Sequence, residues 1–240
     1  MFGWLGMRGL EIVEGLDAGP QGQARLATLP YWVGRSPVIY MPASLLVMQG
    51  ALKFDRNHPF VRAITDGRPA LEHFYRQFQP KDIAAMYGLN AKTDGAELPP
   101  WELPWLLRER RPPPGELGLA ASDGVSYFGP CSARKIDLEL RRLTRLAGSI
   151  RRHGYRRRPI ASMHIAGHFL RRGDELRFFV RGGKHRTAVL VALGYAHVPV
   201  RMRSTWPRLV SRDQVDDWPL VHAGAMSRAV ALEVFDRYFQ

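Results

Sequence analysis

Cysteine, acidic residues and long apolar runs are scarce in this chain. Its single cysteine, Cys131, excludes an internal disulfide and a cysteine-built metal site. Ahead of a helix start, it reads as an ordinary small residue. No stretch approaches the ~18 to 20 uninterrupted apolar residues of a membrane span. The nearest, Val38 to Leu52, is too short and is broken by Pro42, Gln49 and Gly50. The opening "MFGWLGMRGLEIVEGLDAGP" lacks a basic region leading into an apolar run and a cleavage site, so no signal peptide is expected. These absences point to a cytoplasmic protein without a membrane span.

The shortage of acid leaves 35 Lys+Arg against 22 Asp+Glu, a net charge of +13. Residues 1 to 120 carry 13 basic and 12 acidic side chains, a balance of +1; residues 121 to 240 carry 22 and 10, a balance of +12. Lysine is rare, with 30 of the 35 basic residues being arginine. A coding bias toward arginine accounts for that ratio but not for the asymmetry between halves. Such a field favours an anionic partner: a nucleotide, a phosphorylated metabolite, a nucleic acid or an acidic lipid.

With 240 residues, 45% of them hydrophobic, the chain suits one large domain or two small ones. The proline-rich stretch "AELPPWELPWLLRERRPPPGE", residues 96 to 116, blocks regular structure and reads as a semi-rigid connector, with Trp101 and Trp105 packed down on the surface. The expected organisation is a mainly helical region over residues 1–95, a connector over 96–120 and an α+β domain over 121–240.

In the first part, "SPVIYMP" reads as a short strand. "HPFVRAITDGRPALEHFYRQF" has helical apolar spacing interrupted at Gly67, and "PKDIAAMYGLN" a short helix opening at Pro80 and closing at Gly88. In the second part, Ser132 is a plausible cap for a long helix to about His153, with Ile136, Leu140, Leu143, Ala147 and Ile150 on one stripe and Gly154 at its end. Strand signals follow at Ile160 to Ile165 and Leu176 to Val180. A helix from Lys184 to Leu193 and a strand over Val198 to Met202 then complete a compact β-α-β unit. A last helix starts at Ser227.

The chemistry concentrates at "FFVRGGKHRTAVLVALG", residues 178 to 194. A helix start exposes unpaired N–H groups and a positive dipole end, and preceding glycines let an anion approach the backbone. Lys184, His185 and Arg186 reinforce that pole, although cations in a first turn oppose the dipole. Arg186 can grip a phosphate in bidentate fashion, Lys184 supplies a point charge, and His185 can exchange a proton near neutral pH. The alternative is a solvated basic turn, with Arg186 answered by a carboxylate.

The longer stretch "GGKHRTAVLVALGYAHVPV" resembles the signature of the ParB/sulfiredoxin superfamily, over roughly residues 130 to 204. Sulfiredoxins have glycine-glycine-cysteine-histidine-arginine at this joint, related ADP-dependent serine kinases have aspartate-glycine-histidine-histidine-arginine, and the CTP-binding ParB domains have a glycine-x-arginine-arginine version. The resemblance implies a ParB/sulfiredoxin-like fold, a small mixed sheet with helices. It also implies that Gly182, Gly183, Lys184, His185, Arg186 and Thr187 hold the phosphates of ATP or ADP, or of CTP, with Mg²⁺ recruited mainly by those phosphates and no protein metal site. Lys184 stands where sulfiredoxin has its nucleophilic cysteine, which excludes sulfiredoxin chemistry. Gly182 stands where the kinase has an aspartate.

Kinase-like members also need a carboxylate on the preceding helix to take the acceptor's proton. Glu139 is the first candidate and Asp137 the second, with His185 as catalytic partner. Each carboxylate could instead be half of a surface ion pair, Asp137 with Arg141 and Glu139 with Arg142. The function implied is a nucleotide-dependent phosphotransferase acting on a hydroxyl of a small molecule or glycan. "HPFVRAITDG" and "HFYRQFQPKD" are similar to an extension on ParB-like proteins encoded beside bacterial surface-polysaccharide genes, which turns the acceptor toward sugars. The second reading is a CTP- and DNA-binding regulatory protein; the third is a regulatory protein with an inactive pocket. Against the second, the tail after Met202 is too short for the usual DNA-reading module.

Other motifs have plainer readings. His164 and His168 sit on a strand, where their spacing does not suit a metal. "RRHGYRRRP" reads as a solvated helix end with Tyr155 in the core. Asp213, Asp216 and Asp217 read as a polar turn, and His73 as exposed on an aromatic helix.

Overall fold

The computed structural model describes residues 11–32, 37–89, 94–106, 118–125, 127–155, 165–203 and 205–240. In chain order these form β1 (Ile12–Val13), α1 (Pro20–Thr28), β2 (Val38–Pro42), β3 (Leu46–Met48), β4 (Leu52–Lys53), α2 (Pro59–Thr65), α3 (Arg68–Gln77) and α4 (Ile83–Tyr87). There follow α5 (Ala133–His153), β5 (Ile165–Arg172), β6 (Glu175–Gly182), α6 (Lys184–Ala192), β7 (His197–Met202), β8 (Leu209–Ser211), α7 (Pro219–His222) and α8 (Arg228–Asp236). The fold class is α+β around a mixed sheet, as expected. No helix among the described residues is long and apolar enough to cross a membrane.

The strands lie in the order β1-β2-β7-β5-β6-β3-β4, with β8 paired to β5. Strands from before residue 95 therefore flank the later ones on both sides: β2 runs antiparallel to β7, and β3 parallel to β6. The expected seam does not divide the sheet, and the helical region does not simply precede a small one. The β-α-β expectation also needs correction. β5 lies between β6 and β7, antiparallel to the first and parallel to the second, so the strands joined by α6 are antiparallel and not adjacent.

Period-two alternation sends successive side chains to opposite faces of the sheet. Phe169, Phe178 and Leu46 join one core cluster with Leu26, Phe60, Leu71, Leu143 and Leu190 of α1, α2, α3, α5 and α6. Leu170, Phe179 and Val47 join a second cluster with Ile83 of α4, Leu220 of α7 and Val234 of α8. The result is three layers, helices on both sides of the sheet.

Trp105 belongs to the second cluster and is 3% exposed. Its ring meets Phe179, Trp218, Phe235 and Tyr238 edge-on, and its Nε1 donates to His168 Nε2 at 3.2 Å. Leu103 and Leu106 are buried beside it. The described part of the proline-rich stretch is thus core and not a surface connector; residues 107–117 lie outside the described residues. Apolar content outweighed the lack of regular structure: prolines forbid helix and strand but not burial.

Two helix signals meet the structure closely. The Ser132 side chain accepts the Lys135 N–H at 3.1 Å and Gly154 closes α5. Ser227 caps α8 in the same way. At α4 the start is Ile83, not Pro80, because Asp82 caps it by accepting the Ala85 N–H at 2.7 Å. The strand expected from Ile160 falls outside the described residues up to Ile165, where β5 begins.

Candidate functional site

The start of α6 is built on Gly183, whose φ of +84° lies in the left-handed region. A Cβ there would also sit 3.0 Å from the Ile165 Cα, so conformation and space alike demand glycine. Gly183 has no side chain to accept the first N–H groups of the helix, whereas Ser132, Ser227 and Asp82 serve their helices in that way. Lys184, His185 and Arg186 occupy the uncapped first turn.

Glu139 comes to this turn from α5. It is fully buried at 0% exposure, and its Oε2 accepts a hydrogen bond from His185 Nε2. The ammonium of Lys135, one helical turn earlier, lies 2.8 Å from Oε1. Burial alone would raise the Glu139 pKa; His185 and Lys135 together outweigh it and hold the carboxyl below its ordinary value. Glu139 therefore meets protein on every side and is not half of a surface pair with Arg142. A buried anion on Nε2 fixes the orientation of the imidazole, and in the neutral form of the ring Nδ1 carries the lone pair.

Asp137 takes a different part. Two residues from Glu139, it points to another side of the helix, where it is ion-paired to Arg68. Arg68 also bonds Glu72 at 2.5 Å, so an inter-helix network replaces the expected Arg141 pair.

One face of the His185 imidazole lies against Phe60, the rings parallel within 7° and 5.0 Å apart. Phe60 in turn packs on His58, whose Nδ1 accepts the Phe60 N–H at 3.1 Å and whose ring stacks on Phe54. Burial, followed by the charges of His185 and Lys184, lowers the His58 pKa to about 3, which leaves it neutral and no rival for Glu139. Lys184 is half-buried, its ammonium 4.0 Å above the Tyr127 ring. Burial, with the Arg181 charge and against that of Glu139, brings its pKa down to about 8. Arg186 is partly exposed, and its charge offsets part of the rise that burial imposes on Tyr155. Thr187 is wholly buried and donates to the Gly183 carbonyl at 3.2 Å. That bond ties the Thr187 hydroxyl to the turn itself.

A second cationic group flanks Gly182. The guanidinium carbons of Arg181 and Arg203 lie 4.8 and 4.6 Å from the centroid of the Trp206 ring. A Cβ on Gly182 would approach both Trp206 and Arg203.

Lys135, Phe60, Tyr127 and the Arg181–Trp206–Arg203 group were not anticipated. Only Lys135 had a local signal, its i,i+4 spacing from Glu139; the rest arrive through tertiary packing. The remaining candidates keep structural roles. His168 is buried and its pKa falls to about 3 through desolvation; His164 lies outside the described residues. Asp213 accepts a hydrogen bond from Ser211, and Asp216 pairs with Arg228 at 3.1 Å. The Cys131 thiol, pushed up to about 12 mainly by burial, donates to the Val125 carbonyl. Among the described residues no group of three or more His, Cys, Asp or Glu is placed to hold a metal ion. A cavity of about 380 Å³, bounded in part by Lys53, Asp55, Asn57 and Arg237, shares His58 with the site but none of the α6 turn.

Comparison with known proteins finds no family model, no curated protein and no solved structure that matches the chain.

Proposed function

We propose that this chain is a nucleotide-dependent phosphotransferase. The phosphates of ATP or ADP bind at the turn from Gly182 to Arg186, with Mg²⁺ carried by the phosphates, and a hydroxyl of a small molecule or glycan receives the phosphoryl group. Cytoplasmic nucleotide supplies the donor. The observation that carries this reading is the pairing of a fully buried carboxylate, Glu139, with His185 at an uncapped, glycine-built helix start. Uncapped amides and the dipole suit an anion, and Arg186 and Lys184 add charge for the transferring group. A carboxylate-anchored imidazole supplies the group that meets the reacting atoms. The likeness of residues 182 to 200 to the ParB/sulfiredoxin signature points the same way.

The carboxylate's role shifts in this arrangement. Glu139 does not reach an acceptor hydroxyl; it positions His185, which does. The test is transfer of label from [γ-³²P]ATP or [β-³²P]ADP, with Mg²⁺, to an array of sugars, glycans and small alcohols. Wild type is expected to label an acceptor, and His185→Gln to do so at least about 100-fold more slowly, the lower end of what an acid–base or nucleophilic histidine contributes. Undiminished transfer by the variant overturns the assignment.

The Arg181–Trp206–Arg203 group beside the same turn, with the +12 balance of the second half, favours a second reading as a CTP- and nucleic-acid-binding regulator. CTP binding without label transfer would select it.

A further inference from the structure

We infer that His185 carries the phosphoryl group covalently, so that transfer proceeds in two steps through a phosphohistidine at Nδ1. The inference rests on the phosphotransferase reading and specifies its chemistry.

Of the two ring nitrogens, Nε2 is committed to Glu139. Nδ1 makes no hydrogen bond to a described residue, and the side chain as a whole is 24% exposed. With Phe60 covering one ring face, the imidazole is held in one orientation, and its neutral form places the lone pair on the nitrogen that Glu139 does not use. The ring belongs to the second residue of the uncapped α6 turn, so a phosphate drawn to that turn lies near it. Glu139 contributes more to a nucleophile than to a passing contact. When Nδ1 forms a fourth bond the ring becomes cationic, and a buried carboxylate on Nε2 stabilises that cation where water cannot. Lys135 keeps Glu139 ionised and in place. No other carboxylate described here touches His185, and Glu139 has no free edge toward an acceptor. A one-step mechanism would therefore have to use His185 alone as its base.

In the first step Nδ1 attacks the terminal phosphorus, the P–N bond forms, and the bond from phosphorus to the bridging oxygen breaks, its electron pair leaving with the nucleotide. In the second, the acceptor oxygen attacks phosphorus and the P–N bond breaks, returning its pair to Nδ1. The acceptor's proton is released to water, and Nδ1 regains its lone pair. No oxidant, reductant or further reactant is needed.

The experiment omits any acceptor. The full-length protein is incubated with Mg²⁺ and [γ-³²P]ATP or [β-³²P]ADP, and protein-bound label is counted and mapped by mass spectrometry. Up to one label per chain, stable in alkali and lost in acid, on a peptide containing His185 is expected. His185→Gln should lose it, and Glu139→Gln should slow its formation at least tenfold. Fragmentation of the labelled peptide should place the phosphate on His185 and not on Lys184, which separates phosphohistidine from phospholysine; label on Lys184 overturns the assignment. Wild type that binds nucleotide yet takes up no label overturns the two-step route and leaves direct transfer standing. Wild type that binds no nucleotide removes the phosphotransferase reading together with it.

Discussion

Glu139→Ala is expected to destabilise the fold by about 3–5 kcal/mol, the usual result of removing one partner of a buried ion pair. The substitution strands the Lys135 ammonium, 4% exposed, without its ion-pair partner, and frees His185 from its anchor. The double variant Lys135→Met/Glu139→Leu is expected to recover most of the loss, since an apolar pair of similar volume needs no desolvation. It should nonetheless lack activity, because His185 is no longer held. Denaturant unfolding of wild type and both variants measures this directly. A Glu139→Ala protein within about 1 kcal/mol of wild type would show that the pair is not buried as described. The same group sets an acid limit. The folded protein holds Glu139 below its ordinary pKa, so its share of stability is full above the ordinary carboxylate range and is lost as pH falls through the folded value. Wild type should lose more stability than the double variant on acidification across that window.

Trp105→Ala should be comparably damaging, at about 3–5 kcal/mol, which for a chain of this size is roughly a 10 °C fall in melting temperature. Trp105 touches four aromatic rings from β6, α8 and the segments next to them, and truncation leaves a void in a close-packed layer. It also leaves His168, already lacking a partner at Nδ1, without its Nε2 donor. A surface connector would tolerate the same change with little effect. A scanning-calorimetry shift of only a degree or two would return residues 96–106 to that role.

The helices of the second half were legible because their signals are local. Ser132, Ser227, Gly154 and Gly194 punctuate apolar stripes, and punctuation of this kind acts within one turn. The sheet was not legible in the same way. Nothing in "SPVIYMP" states that it pairs with residues 197–200, nor does Leu46–Met48 announce β6; such pairing depends on contacts distant in sequence. The burial of Trp105 is hidden from the sequence for a related reason: the neighbouring prolines act locally, while burial is decided by β6 and α8. At the site, the residue types at Gly183, Lys184, His185 and Glu139 were readable, but the partner of Glu139 was not. Helical spacing allows Lys135, Arg142 or neither, and the choice follows from α5 burying that face against α2 and α6.

The central claim is that the Gly182–Arg186 turn holds nucleotide phosphates, and isothermal titration calorimetry tests it most directly. ATP, ADP, CTP and GTP would be titrated with and without Mg²⁺ into wild type and Arg186→Ala. Binding of ATP or ADP by wild type, weakened at least tenfold in Arg186→Ala, is the predicted result; a wild-type protein that binds none of the four contradicts it.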